Sequence, residues 1–128
     1  MADKTQYELL KRAVSAWNAW RTEHTDVQPD LAGASFLGVD LIGANLAGAD
    51  LRKADLRGTN LTDASLVGAH LEGATFFRAT LDRADLSGAH LEGARFLASE
   101  QLLSAKNWQS AYRDSALSCG APIPLERG

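Results

Sequence analysis

From Leu31 to Phe96 every fifth residue is leucine or phenylalanine, fourteen positions in a row. Neither regular element accepts that period. An α-helix turns about 100° per residue, so five residues advance a side chain by roughly 140°, and the leucines would be smeared around the whole cylinder. A strand alternates its side chains, so Leu31 and Phe36 would lie on opposite faces. A bend after every pentapeptide removes both conflicts. Each unit becomes a short extended piece and a corner, and every Leu and Phe faces one interior.

The other positions fit this arrangement. Two before the central residue stand Ala34, Ala44, Ala49, Ala54, Ala64, Ala69, Ala74, Ala79, Ala84, Ala89 and Ala94, with Pro29, Val39 and Thr59 as departures. Strand alternation turns that site inward too, where little room remains beside a leucine. Just before the centre come Asp40, Asn45, Asp50, Asn60 and Ser65. These point outward, and short Asx or hydroxyl side chains also bond a bending backbone. Two after the centre is often glycine, as at Gly33, Gly48, Gly68 and Gly88, which suits a corner of unusual dihedrals.

The number of corners per coil is also readable. Phe36, Phe76 and Phe96 are separated by 40 and 20 residues, and Gly-Ala-His-Leu-Glu-Gly-Ala occupies both Gly68–Ala74 and Gly88–Ala94. Twenty divides these intervals and fifteen does not. Four pentapeptides per turn predict a square solenoid whose like faces stack at one strand spacing, about 4.8 Å.

The runs Ala44-Asn45-Leu46-Ala47-Gly48, Ala49-Asp50-Leu51-Arg52-Lys53 and Ala54-Asp55-Leu56-Arg57-Gly58 resemble the pentapeptide-repeat family, whose pattern is small, Asp or Asn, Leu, any, any. The match covers about residues 29–98. The Glu23-to-Leu31 connector and the segment Ala16-Trp17-Asn18-Ala19-Trp20-Arg21 resemble the helical lead-in of many bacterial members. The resemblance implies an all-β solenoid, a right-handed quadrilateral parallel β-helix, here of about three and a half coils. The handedness comes from the resemblance alone.

A chain of 128 residues is expected to form one domain. An N-terminal capping helix is expected within residues 5–24, spanning 6 to 23, with Thr5 and Glu8 as a capping box and Tyr7, Leu10, Val14 and Trp17 on its apolar stripe. Residues 99–128 are expected to form a C-terminal helical cap and loose tail. In that segment Ser99 starts a helix through Leu103, Asn107 starts another through Tyr112, and Pro122 and Pro124 mark the tail. These flanks cover coil ends that would otherwise expose strand edges. With nowhere 18 apolar residues together and no signal-peptide core near Met1, the expectation is a cytoplasmic protein without membrane contact. Cys119 stands alone and forms no internal disulfide.

No constellation points to catalysis. Ser65 and Ser87 lack an evident base and orienting acid, and the glycines are corner residues rather than a phosphate loop. His70 and His90 stack one coil apart beside Glu72 and Glu92, but a flat wall offers an ion no pocket, so neither a metal site nor a cofactor is expected. The expected role is a non-enzymatic scaffold or protein–protein interaction module. Its candidate contact face is the column Leu37, Arg57, Phe77 and Leu97 with Arg78, left open to a partner or covered by the C-terminal segment. The partner would be another protein, with the chain monomeric or dimeric through its C-terminal end.

The resemblance implies one alternative. Some members imitate duplex DNA, bind type II topoisomerases, and inhibit gyrase or protect it from quinolones. The formal charge of −3 argues against direct nucleic-acid binding. Asp30 to Glu100 holds ten acidic and six basic residues, and Arg52, Lys53, Arg57, Arg78, Arg83 and Arg95 interrupt every acidic column long enough to imitate a phosphate track. Duplex DNA of the same length carries on the order of ten uninterrupted charges.

Overall fold

Each central residue opens a tight turn. In the first, Leu31 O accepts a hydrogen bond from Ala34 N at 3.1 Å and Gly33 has φ +72°, the type II pattern with its third residue left-handed. The computed structural model describes residues 2–115, and the same turn recurs every five residues from Leu31 to Leu91. Nine of the thirteen corners carry glycine; Lys53, Asp63, Arg78 and Arg83 occupy the rest at φ 58–62°. An L side chain costs about 1–2 kcal/mol in that region, which is why glycine predominates. The outward Asp and Asn residues reinforce the bends: Asp40 Oδ1 accepts from Ile42 N at 3.0 Å and Asn60 Oδ1 from Thr62 N at 3.1 Å.

Four such corners make one stretch of twenty residues, and successive stretches stack. Ten parallel bridges join residues twenty apart, from Asp30 and Asp50 to Thr75 and Arg95. Leu51 N donates to His70 O at 2.7 Å, and His70 N donates to Ala49 O at 2.9 Å. Every bridge is isolated, and no regular strand forms among the described residues, because a corner interrupts pairing after each short extended piece. Inside lie the thirteen Leu and Phe residues from Leu31 to Leu91, all buried, with buried alanines beside them. Thr59 is tolerated at an alanine position because its hydroxyl donates to Phe36 O at 2.8 Å.

The fourteenth central residue departs from expectation. Phe96 is 64% exposed while Leu97 is buried, 8% exposed. Phe96 is itself left-handed, φ +56°, so the chain turns two residues early and presents the next side chain to the core. The bridge offset then rises to 21 between Asp85 and Lys106, and to 22 between His90 and Tyr112. Each one-residue increment coincides with a left-handed residue, first Phe96 and then Asn107 at φ +59°.

The N-terminal cap also differs from the expected continuous helix. It consists of α1 (Lys4–Arg12) and α2 (Val14–Glu23), separated by extended Ala13 at φ −160°, ψ 115°. The break reorients the chain so that Leu10 and Trp17 are both buried. Asp3, not Thr5, is the N-cap, its carboxylate accepting from Gln6 N at 3.0 Å. Asp caps better than Thr, and Asp3 N is anchored to Asp30 O at 2.8 Å. The helices satisfy backbone groups of the first coil: Gln6 Oε1 accepts from Asp30 N, Tyr7 Oη donates to Ser35 O, Trp17 Nε1 to Asn45 O, and Arg21 to Asn45 O and Ala47 O.

At the other end α3 (Ser99–Ser104) is N-capped by Ala98 rather than Ser99, and Gln101 Oε1 accepts from Ala98 N at 2.7 Å. In place of the helix expected from Asn107 through Tyr112, a 3₁₀ turn forms at Trp108–Ser110. Leu97, Leu102, Trp108, Ala111 and Arg113 are buried there. Arg113 Nε donates to Ala111 O at 3.1 Å, and its guanidinium lies 5.2 Å from the Trp108 ring centre. Leu103 is exposed and Tyr112 only partly covered. The tail at Pro122 and Pro124 lies outside the described residues. No described helix is long and apolar enough to cross a membrane.

Candidate functional site

The twenty-residue register aligns Leu37, Arg57 and Phe77 one above another, each just after a central residue. Leu37 is 56% exposed and Phe77 50%. Arg57 is drawn sideways into a bidentate pair with Asp55, at 2.9 and 2.7 Å, and this bonding holds the Asp55 carboxyl below the usual carboxylate range. Leu97 is absent from the column. The C-terminal segment covers Leu97, which belongs to the core cluster with Leu102, and leaves Phe77 exposed.

Phe96 stands at the surface in its place. Its ring meets Phe77 edge-on, centroids 6.0 Å apart at 74°, a favoured aromatic geometry. Arg78 lies 5.4 Å from the Phe77 ring centre and Arg95 5.7 Å from that of Phe96. The face is therefore two adjoining aromatic rings overlain by two guanidinium groups. Arg78 occupies its corner in the left-handed region at φ +62°, a strain that glycine would avoid. Behind the rings, Gln101 Nε2 donates to Phe76 O at 2.8 Å and Ala79 O at 2.9 Å, pinning α3 to the coil.

Sequence reasoning missed Phe96 and Arg95 on this face. The available signal was the sequence after Phe96, where Ala98-Ser99 replaces the usual corner glycine and next alanine. Loss of the pattern there marks the place where the register slips.

A second wall carries Asp50, His70 and His90 in one column. The imidazoles stack in parallel, centroids 4.7 Å apart and planes within 2°, and Tyr112 continues the stack at 4.7 Å and 12°. Asp50 pairs with Arg52 at 2.7 Å and Asp63 with Arg83 at 2.9 Å. These pairs and the Arg57–Asp55 pair break up the acidic columns that an imitation of DNA would need.

The geometry described above has relatives among known proteins. A family model described as pentapeptide repeats, eight copies, matches residues 28–58 and 54–93. The chain belongs to the pentapeptide-repeat family. Among solved structures it is similar to alr5209, a pentapeptide-repeat protein from Nostoc Pcc 7120, at 32% identity over 73% of this chain and 75% of that one, TM-score 0.54. A pentapeptide-repeat protein of the Arabidopsis thaliana thylakoid lumen is 29% identical over 76% of this chain and 68% of that one, TM-score 0.45. No curated protein matches. Membership in the pentapeptide-repeat family implies a right-handed quadrilateral β-helix.

Proposed function

We propose that this pentapeptide-repeat protein is a non-enzymatic interaction module: a capped, rigid β-helix that presents the Phe77–Phe96 face to another protein. The single observation that carries this reading is the pair of exposed phenylalanines in edge contact, each beneath an arginine. Aromatic and arginine side chains dominate the energetics of protein contacts. A large exposed apolar surface has a solvation cost that a partner would remove. Leu37 and Arg57 extend the face along the coil axis, and Arg78 borders it at the corner beside Phe77. Supporting the module reading, the bridged backbone holds these side chains on a fixed lattice, so a partner binds a largely preorganised surface.

The test is affinity capture from extracts of the source cells with three proteins: the native chain, a Phe77→Ser/Phe96→Ser variant, and an Asp63→Asn/Arg83→Gln variant altered on another wall. The expected outcome is one partner retained by the native chain and the wall control and lost by the double-serine variant. Equal retention by all three would reject the face.

A further inference from the structure

We infer that the wall bearing His70, Glu72 and His90 is a binding site for a borderline divalent transition cation, with Zn²⁺ as the type case. Sequence reasoning placed Glu72 and Glu92 beside the two stacked histidines and gave an ion no pocket on a flat wall. The structure brings one of those carboxylates together with both imidazoles. One ligand atom from each of His70, Glu72 and His90 lies within 4.8 Å of the others. Two imidazoles and a carboxylate form a donor set that Zn²⁺ takes with bonds of about 2.0–2.2 Å, leaving a fourth position to water.

A second observation points to the same place. Glu72 Oε2 lies 3.5 Å from His70 Nδ1, while Glu72 Oε1 is buried and accepts no hydrogen bond. A buried carboxylate oxygen without a donor is costly, and a cation satisfies it. Around the three ligands stand Glu92, 3.7 Å from His90 Nδ1, and Tyr112, stacked on His90. A carboxylate beside a histidine nitrogen is the contact that orients metal-binding imidazoles. Asp50 is occupied by Arg52 and stays outside the set.

Binding requires a defined rearrangement. Tetrahedral bonds of that length place ligand atoms about 3.4 Å apart, so the three must draw together. Imidazole lone pairs also lie in their ring planes, and two parallel, separated planes do not meet at one ion. One ring therefore tilts out of the stack. His70 and Glu72 are the movable partners, with side chains 37% and 35% exposed, whereas His90 is 15% exposed and held against Tyr112. Because the ligands come from adjacent coils, the bound ion also fastens one coil to the next, and the folded state gains stability with ion concentration.

Untagged protein carrying Cys119→Ser, which removes the only thiol, is titrated with ZnCl₂ by calorimetry and by NMR of the imidazole protons. The expected result is one ion per chain, with His70 and His90 resonances shifting together and those of His24 unmoved. His70→Ala, His90→Ala and Glu72→Gln each weaken binding by at least about tenfold, and His24→Ala does not. The melting temperature rises with Zn²⁺ in the parent protein and not in the His70→Ala/His90→Ala variant. The NMR titration needs no variant, so a misfolded substitution leaves the test standing. Absence of stoichiometric binding overturns the site, as does binding that shifts His24 or survives loss of both wall histidines.

Discussion

Leu97 and Phe96 give opposite answers to the periodic and the structural readings, so replacing each in turn separates them. Leu97 is 8% exposed at the C-terminal end of the core, and Phe96 is 64% exposed. Removing a buried leucine forfeits its transfer energy and leaves a cavity, about 2–5 kcal/mol for Leu→Ala. Leu97 lies in the last layer, where α3 can settle inward, which places Leu97→Ala near about 2–3 kcal/mol. With a urea m-value of about 1–3 kcal/mol/M, the midpoint falls by about 0.7–3 M. Phe96→Ser removes a surface ring and its edge contact with Phe77, so it costs about 0.5–1.5 kcal/mol, less than Leu97→Ala. Urea unfolding followed by circular dichroism of the native chain and both variants measures the contrast. If Phe96→Ser costs more than Leu97→Ala, the register slip is wrong and the fivefold period continues through residue 96.

Three further perturbations address the corners and the cap. At Gly68, φ is +63° and a methyl group would meet nothing within 4 Å, so Gly68→Ala isolates the backbone cost and lowers stability by about 1–2 kcal/mol; the converse Lys53→Gly, at φ 60°, raises it by about 0.5–1 kcal/mol, and a urea series measures both. Hydrogen bonds from Asn107 Nδ2 at 3.0 Å and from Ser87 hold the Asp85 carboxyl below its ordinary value. A depressed folded-state value means that this contribution is fully present above the unfolded value of about 3.9 and is lost as pH falls through the folded one. The Trp108 indole NMR signal should therefore stay constant on acidification to about pH 4 and change below it, and in Asp85→Asn this acid step should disappear.

The repetitive part of the fold was legible because its physics is local and repeated. A fivefold Leu/Phe period excludes helix and strand together, and the duplicated Gly68–Ala74 and Gly88–Ala94 segments carry the twenty-residue register seen in the bridges. Phe96 entered the same argument although its side chain lies outside; the 40-residue interval between Phe36 and Phe76 was sound. Chain ends lack that redundancy. Ala13, a good helix former by propensity, breaks the N-terminal helix because tertiary burial of Leu10 and Trp17 outweighs helical continuity. At the candidate face, Leu37, Arg57, Phe77 and Arg78 followed from column arithmetic. Phe96 and Arg95 did not, because one left-handed residue shifts every later position and no periodic rule signals where that occurs. The carboxylate of Glu72 reaching His70 is likewise a side-chain rotamer, which spacing does not encode.

The central claim is that the chain closes on itself once every twenty residues, and hydrogen-bond scalar couplings measured by NMR on labelled protein test it directly. They should connect Leu51 N to the His70 carbonyl, Leu71 N to that of His90, and Leu66 N to that of Asp85, the 2.7–2.8 Å pairs of the coil stack. Couplings from these amides to carbonyls four residues earlier, or to any partner at a fifteen- or twenty-five-residue register, would contradict it.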